Sequence, residues 1–163
     1  MENYLAQGIK GVQITPLTIV PTAGGDVLRL LRPDSPIAPK FPEGIGEIYF
    51  SEILPGQVKA WKMHLRQTQR LAAPYGQARV VLYDMRADSP TLRVLDVMDL
   101  GRPDNYKMLT IPPGVWYGFR CLGNNPAVLC NCPDMSHDPS DCQRAPADTP
   151  DIPYNWETAE RRD

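Results

Sequence analysis

Apolar and polar residues alternate along this chain in short runs, and a turn signal closes almost every run. Residues 11–20 (GVQITPLTIV) are rich in β-branched side chains and predict a strand. Residues 26–32 (DVLRLLR) mix leucines with charges and suit either a strand or a short helix. Residues 46–56 (GEIYFSEILPG) predict a strand that ends at a Pro-Gly turn, and residues 57–65 (QVKAWKMHL) predict the next. RLAAPYG and QARVVLYDMR predict a pair about a turn at Tyr75 and Gly76. In TLRVLDVMDLG, Leu92, Val94, Asp96 and Met98 fall on one parity. YKMLTIPPGVWYGFRCLG holds two strand segments about Pro112, Pro113 and Gly114, and PAVLCNC is the last strong strand. Residues 33–44 read as a proline-rich loop. The final APADTPDIPYNWETAERRD reads as a flexible proline-rich tail with a helical turn near residues 156–161. Strands spaced by roughly 8–12 residues with turns between them indicate an all-β sandwich or barrel. The chain reads as one domain, 1–163, with a short N-terminal arm and that tail.

One strand breaks its own pattern. In VKAWKMHL, alternation places Ala60, Lys62 and His64 on one face and Trp61, Met63 and Leu65 on the other. Both faces have reason to be covered, because Trp61 and Met63 are large and apolar. A lysine facing the interior needs a carboxylate, a ligand or water, unless it lies at a strand end and extends its amine to solvent.

Composition narrows the function. The chain has 163 residues, 42% hydrophobic, with a formal net charge of −2. No basic excess supports nucleic-acid binding, and no apolar run approaches the ~20 residues of a membrane-spanning helix. The first residues lack the pattern of a signal peptide. The reading is a soluble cytoplasmic protein with its four cysteines reduced. Eighteen prolines and twelve glycines leave little room for long helices.

The segments VKAWKMH, YGQARVVLYDMRADSPT, LTIPPGVWYGF and VLCNC resemble, in order and spacing, those of the dTDP-4-dehydrorhamnose 3,5-epimerase family. The resemblance spans roughly residues 24–156, and DMRADSPT and IPPGVWYGF are its most specific pieces. It implies a cupin-type jelly roll, a nucleotide-linked 4-keto sugar as ligand, no cofactor, and a homodimer in which strands of one subunit extend the other's sheet. By that alignment the family's catalytic histidine falls at Lys62, a family lysine near Gln69, and the general-acid tyrosine at Cys130. The histidine of the Ile-Pro-x-Gly-x-x-His segment falls at Tyr117. His64 is similar to the second histidine of the His-x-His pair in sugar 3,4-ketoisomerases of the same superfamily.

Proton transfer beside a ketone needs a base, an acid and a partner for the enolate. His64 is the best base or acid in the chain. Lys62 suits enolate stabilisation as a cation, or a base's role if desolvated, and Tyr117 suits donation to the keto oxygen. Cys130 is a poorer substitute for a tyrosine acid. Lys59 matches a family arginine that reaches the phosphates, and Arg29 lies where another is expected. Gln69 and Asn131 complete the substrate-binding set that the resemblance implies. Asp84 and Arg86 read as a structural ion pair, and Trp61, Trp116 and Phe119 as core or interface residues.

Metal binding is argued against. The slots of metal-dependent cupins read Lys62, His64, Gln67 or Gln69, and Tyr117, which leaves one good ligand where at least three are wanted. A zinc site from Cys121, Cys130, Cys132, His137 and Cys142 lacks standard spacing, and His137 with its aspartates suits a turn. The expected function is a 4-keto-sugar-nucleotide epimerase or isomerase in deoxysugar or surface polysaccharide synthesis. The alternatives are a catalytically silent sugar-nucleotide binder, or a cupin that takes another small molecule.

Overall fold

The computed structural model describes residues 8–32, 34, 45–158, 160 and 161. Among these, every regular element is a β-strand. One five-stranded sheet runs in the order β1 (Gln13–Pro16), β9 (Lys107–Ile111), β6 (Gln69–Tyr75), β11 (Ala127–Asn131), β4 (Tyr49–Ile53). The other runs β12 (Cys142–Arg144), β5 (Val58–His64), β10 (Val115–Leu122), β7 (Gln77–Asp84), β8 (Leu95–Gly101). Neighbouring strands within each sheet are antiparallel. Two ribbons flank them, β2 (Ile19–Val20) with β3 (Val27–Leu28), and β13 (Tyr154–Asn155) with β14 (Glu160–Arg161). The two sheets form a cupin-type jelly roll, as the sequence predicts.

The interior is closed by side chains of alternate parity from both sheets. Leu71 and Ala73 of β6, Leu109 and Ile111 of β9 and Leu129 of β11 meet Val80 and Leu82 of β7 and Tyr117 and Phe119 of β10. All nine are at most 1% exposed. Each large side chain so buried contributes about 1.5–3 kcal/mol of hydrophobic stabilisation before entropy is set against it.

Several boundaries differ from the sequence reading. Residues 11–20 divide into β1 and β2, and residues 26–32 supply only the two-residue strand β3. β6 and β7 do not pair; they lie in opposite sheets. The chain turns from one sheet to the other at Gly76, whose φ is +66° and whose Cβ would stand 2.5 Å from the Pro126 carbonyl oxygen. Only glycine fits that corner. β9 and β10, about Pro112 and Pro113, separate in the same way. The proline-rich loop over residues 33–44 falls, except for residue 34, outside the described residues.

The segment expected as a flexible tail is packed. Ile152, Tyr154 and Trp156 are buried with Trp61 on the outer face of β5. Trp61 lies 5.0 Å from Trp156 and 6.4 Å, edge-on, from Tyr154, and its indole N–H donates to the Ala147 carbonyl at 3.2 Å. Such aromatic pairs add about 0.5–1.5 kcal/mol beyond area burial. Gly118 of β10 allows this close layer, since a Cβ there would stand 2.5 Å from Ala60 Cβ and 2.8 Å from Trp156 Cζ2. Residues 156–158 turn between β13 and β14 in place of the expected helical turn.

Candidate active site

The alternation of β5 decides what enters the jelly roll. Lys62 and His64 face inward, and Trp61 and Met63 pack on the outer side. Ala60 departs from the expected parity. The register between β5 and β10 shifts between Tyr117 and Phe119, and Ala60 joins Trp61 and Trp156 outside. Leu65, beyond the strand, is 49% exposed.

His64 is held on both ring nitrogens. Nδ1 lies 3.1 Å from Asp141 Oδ2, and Nε2 lies 3.2 Å from the Tyr117 hydroxyl and 3.3 Å from Gln69 Nε2. A carboxylate accepts only, so Nδ1–H donates to Asp141, and Nε2 carries a lone pair toward Tyr117 and Gln69. Asp141 is fixed by the β5–β6 turn. It accepts from the backbone N–H of Arg66 at 2.8 Å and of Gln67 at 3.3 Å, and from Arg66 Nε at 3.3 Å. Gln69 donates onward to Gln67 Oε1, and Gln67 to the Met135 carbonyl at 2.7 Å.

The protonation states follow from these partners. Burial pushes the His64 pKa down, and although the Asp141 bond pulls it up, the net shift is downward. Burial pushes the Asp141 carboxyl up, but the Arg66 and Gln67 N–H groups and His64 outweigh it and keep it ionised. Tyr117 is driven well above the ordinary tyrosine value by burial, and then by nearby Tyr49. The cluster at neutral pH is therefore carboxylate, neutral imidazole and neutral phenol.

Lys62 is not at a strand end. It sits within β5, and its Nζ lies 5.1 Å from the ring centres of both Tyr117 and Phe119. Burial lowers its pKa to about 8; Cys142 opposes the shift, and Arg144 and Lys59 add to it. Lys62, Lys59, Arg144, Ser51 and Phe119 line a cavity of about 500 Å³ between β4 and the β5–β12 edge. That volume suits a small-molecule ligand. A larger hollow of about 610 Å³ lies on the outer side, beside Arg120 and Trp156.

The remaining predicted residues divide. Gln69 stands against His64, and Lys59 is on the cavity wall. Asn131 is buried and faces inward, its Nδ2 bonded to the Leu129 carbonyl at 3.1 Å and 3.5 Å from Ser51 Oγ. Cys130 is not in the cluster. It alternates with Asn131, pairs with Ala72 and turns to the outer face of its sheet, 3.8 Å from Cys132 Sγ. The inward neighbour on β11 is Asn131, one position on. Arg29 is exposed beside β3 and does not line the cavity; its carbonyl accepts from Tyr106.

Asp141 and Tyr49 were missed by sequence reasoning. Tyr49 of β4 bonds Gln69, and burial raises its pKa, with Glu47 adding to the rise. The only signal for Asp141 was the acidic run around His137, read as a turn. His137 itself is exposed, and its backbone N–H donates to the Glu47 carboxylate. No group of three or more histidine, cysteine or acidic side chains suited to a metal occurs among the described residues. Asp84 and Arg86 form the structural pair expected, 2.8 Å apart with Ser89 and Thr91 also bonded to Asp84.

An all-β double sheet with a histidine–carboxylate pair inside it defines a cupin-type protein; the cavity at Lys62 is lined by neither His64 nor Tyr117. The family model described as dTDP-4-dehydrorhamnose 3,5-epimerase matches residues 60–163. The chain belongs to that family. It is 36% identical over 152 residues to the spore coat polysaccharide biosynthesis protein SpsL of Bacillus subtilis, covering 92% of this chain and 97% of the relative. A crystal structure of a dTDP sugar isomerase from Desulfovibrio desulfuricans is 49% identical, with a TM-score of 0.88 over 94% of this chain and 96% of that one. An epimerase from Legionella pneumophila, solved with dTDP-4-keto-L-rhamnose, shares the fold at 18% identity and a TM-score of 0.80, covering 99% of this chain and 86% of that one.

Proposed function

We propose that the protein is a metal-independent epimerase or isomerase of a nucleotide-linked 4-keto-6-deoxyhexose, working in deoxysugar or surface polysaccharide biosynthesis. The observation that carries the reading is the Asp141–His64–Tyr117 chain, with Nδ1 to Oδ2 at 3.1 Å and Nε2 to the hydroxyl at 3.2 Å. A carbon-bound proton beside a ketone is removed by a neutral base, and His64 is that base once a bound sugar replaces the Tyr117 and Gln69 donors at Nε2. Asp141 fixes the tautomer and stabilises the imidazolium that forms. Tyr117, kept as a phenol, is a donor beside the same nitrogen. Lys59 and Arg144, on the wall of the cavity that Lys62 enters, suit the diphosphate of a nucleotide. The name of the family and those of its relatives support a dTDP sugar as the substrate class.

The reading includes a homodimer, supported by the edge position of β4 and by Phe50, which stands 66% exposed on it. It also includes a cytoplasmic setting, which suits four free cysteines.

The test is incubation with a dTDP-4-keto-6-deoxyhexose in D2O, with deuterium followed at C3 and C5 by mass spectrometry. Exchange at either carbon is expected. Binding without exchange, across dTDP, UDP, GDP and CDP forms, would reduce the protein to a silent sugar-nucleotide binder. No binding of any of them would remove the sugar-nucleotide reading.

A further inference from the structure

The geometry assigns Lys62 a covalent role. We propose that its amine condenses with the keto carbon of the bound sugar, giving an iminium that acidifies the neighbouring C–H bonds for His64. This rests on the keto-sugar reading above and adds a reaction step to it.

Position is the first argument. Lys62 and His64 are two residues apart on the inward face of β5 and converge on one side chain of β10. His64 Nε2 is 3.2 Å from the Tyr117 hydroxyl, and Lys62 Nζ is 5.1 Å from the centre of the same ring. A nucleophile for the carbonyl carbon and a base for the carbon beside it must act on atoms one bond apart. Lys62 opens on the cavity with Lys59 and Arg144, and His64, which is not part of the cavity wall, meets it across the Tyr117 ring.

Surroundings are the second. A lysine meant to remain a cation in a protein interior is ordinarily held by a carboxylate, which also removes its lone pair. Among the described residues no carboxylate acts on Lys62. The ionisable groups around it include Lys59 of its own strand and Cys142 and Arg144 of β12, of which the two cations oppose its protonation, and the charge of Lys62 in turn lowers the His64 pKa. Burial acts in the same direction, and the pKa of about 8 leaves part of the amine free near neutrality. A lysine desolvated beside other cations is an activated amine nucleophile. The ring faces of Tyr117 and Phe119 stabilise positive charge on this nitrogen without a counter-ion, in the ammonium and in the iminium that replaces it.

The step balances without redox chemistry. The Nζ lone pair forms a C–N bond as the carbonyl π pair moves to oxygen. The carbinolamine takes up one proton and loses water, leaving C=N⁺H. His64 Nε2 then removes a proton from the adjacent carbon. That electron pair forms C=C, and the C=N pair returns to nitrogen, giving a neutral enamine. Protonation at carbon regenerates the iminium, and water hydrolyses it to the ketone, the free amine and a proton.

The experiment is borohydride trapping with dTDP-4-keto-6-deoxyhexose and its UDP, GDP and CDP counterparts, read by intact mass and peptide mapping, alongside D2O exchange. A stable adduct on the peptide holding Lys62 is expected, absent in Lys62→Gln. His64→Asn is expected to trap normally while its exchange falls at least a hundredfold, because condensation precedes proton removal. Lys62→Arg keeps the charge and cannot condense, so it is expected to lose exchange as fully as Lys62→Gln. Exchange without an adduct, or an Arg variant within tenfold of the parent, overturns the iminium and leaves the epimerase reading standing. An adduct on any other lysine overturns the assignment. Neither adduct nor exchange across the four nucleotides overturns both.

Discussion

Asp141 Oδ2 lies 3.1 Å from His64 Nδ1 although 77 positions separate the two residues. The contact sets which nitrogen of the ring carries the lone pair. Asp141→Asn presents an amide to Nδ1, which permits the other tautomer and a protonated Nε2. The expected result is a fall of about 10²–10⁴ in the rate of deuterium exchange at the sugar, the range of a lost general base. Far-ultraviolet circular dichroism should be unchanged.

Lys62 predicts an unusual dependence of stability on pH. Its folded pKa of about 8 lies below the ordinary 10.5, so between these values the unfolded chain binds more protons than the folded one. Stability from this residue therefore rises as pH increases from about 8 toward 10.5, and is lacking below 8. The expected gain is on the order of 2 kcal/mol, discounted for partial exposure. Urea melts at pH 7.5 and 9.5 measure it, and Lys62→Met should remove this contribution.

Asp84 predicts the opposite trend at low pH. Burial pushes its carboxyl up, but Arg86, Ser89 and Thr91 hold it far below the usual range. Its contribution is complete above the ordinary carboxylate pKa of 3.8 and is lost as pH falls toward the depressed folded value. Asp84→Ala should cost about 3–5 kcal/mol in a urea melt, the penalty for breaking a buried pair.

Trp156 ties the late segment of the chain to β5. Trp156→Ala opens the layer over Trp61 and should cost about 3–5 kcal/mol. For a chain of this size that lowers the midpoint of a thermal melt by about 2–4 °C per kcal/mol. Limited proteolysis between residues 145 and 158 should accelerate in the same variant.

The strands were legible because β5, β7 and β10 are apolar runs of seven or eight residues rich in β-branched and aromatic side chains and closed by turn residues. So was the inward pairing of Lys62 with His64, which needs only parity. The sheet assignment of β6 and β7 was not, since one glycine between two strands reads alike for a hairpin and for a corner between sheets. Cys130 was misplaced by one position, and one position on a strand exchanges the two faces. Asn131 holds the inward place, beside Ser51 and Tyr49. Asp141 lies in a polar stretch with no periodicity. Its role depends on β12 lying alongside β5, with Cys142 opposite His64. That pairing joins segments far apart in the chain, and no local pattern announces it.

The pairing of β12 with β5 also fixes when the protein becomes competent during its own manufacture. A ribosome adding about 5–20 residues per second places roughly 4–15 s between His64 and Asp141. Throughout that interval the emerging polypeptide holds a histidine with no carboxylate beside it. The acid–base role proposed for His64 therefore requires that translation has passed Asp141 and that the segment has docked.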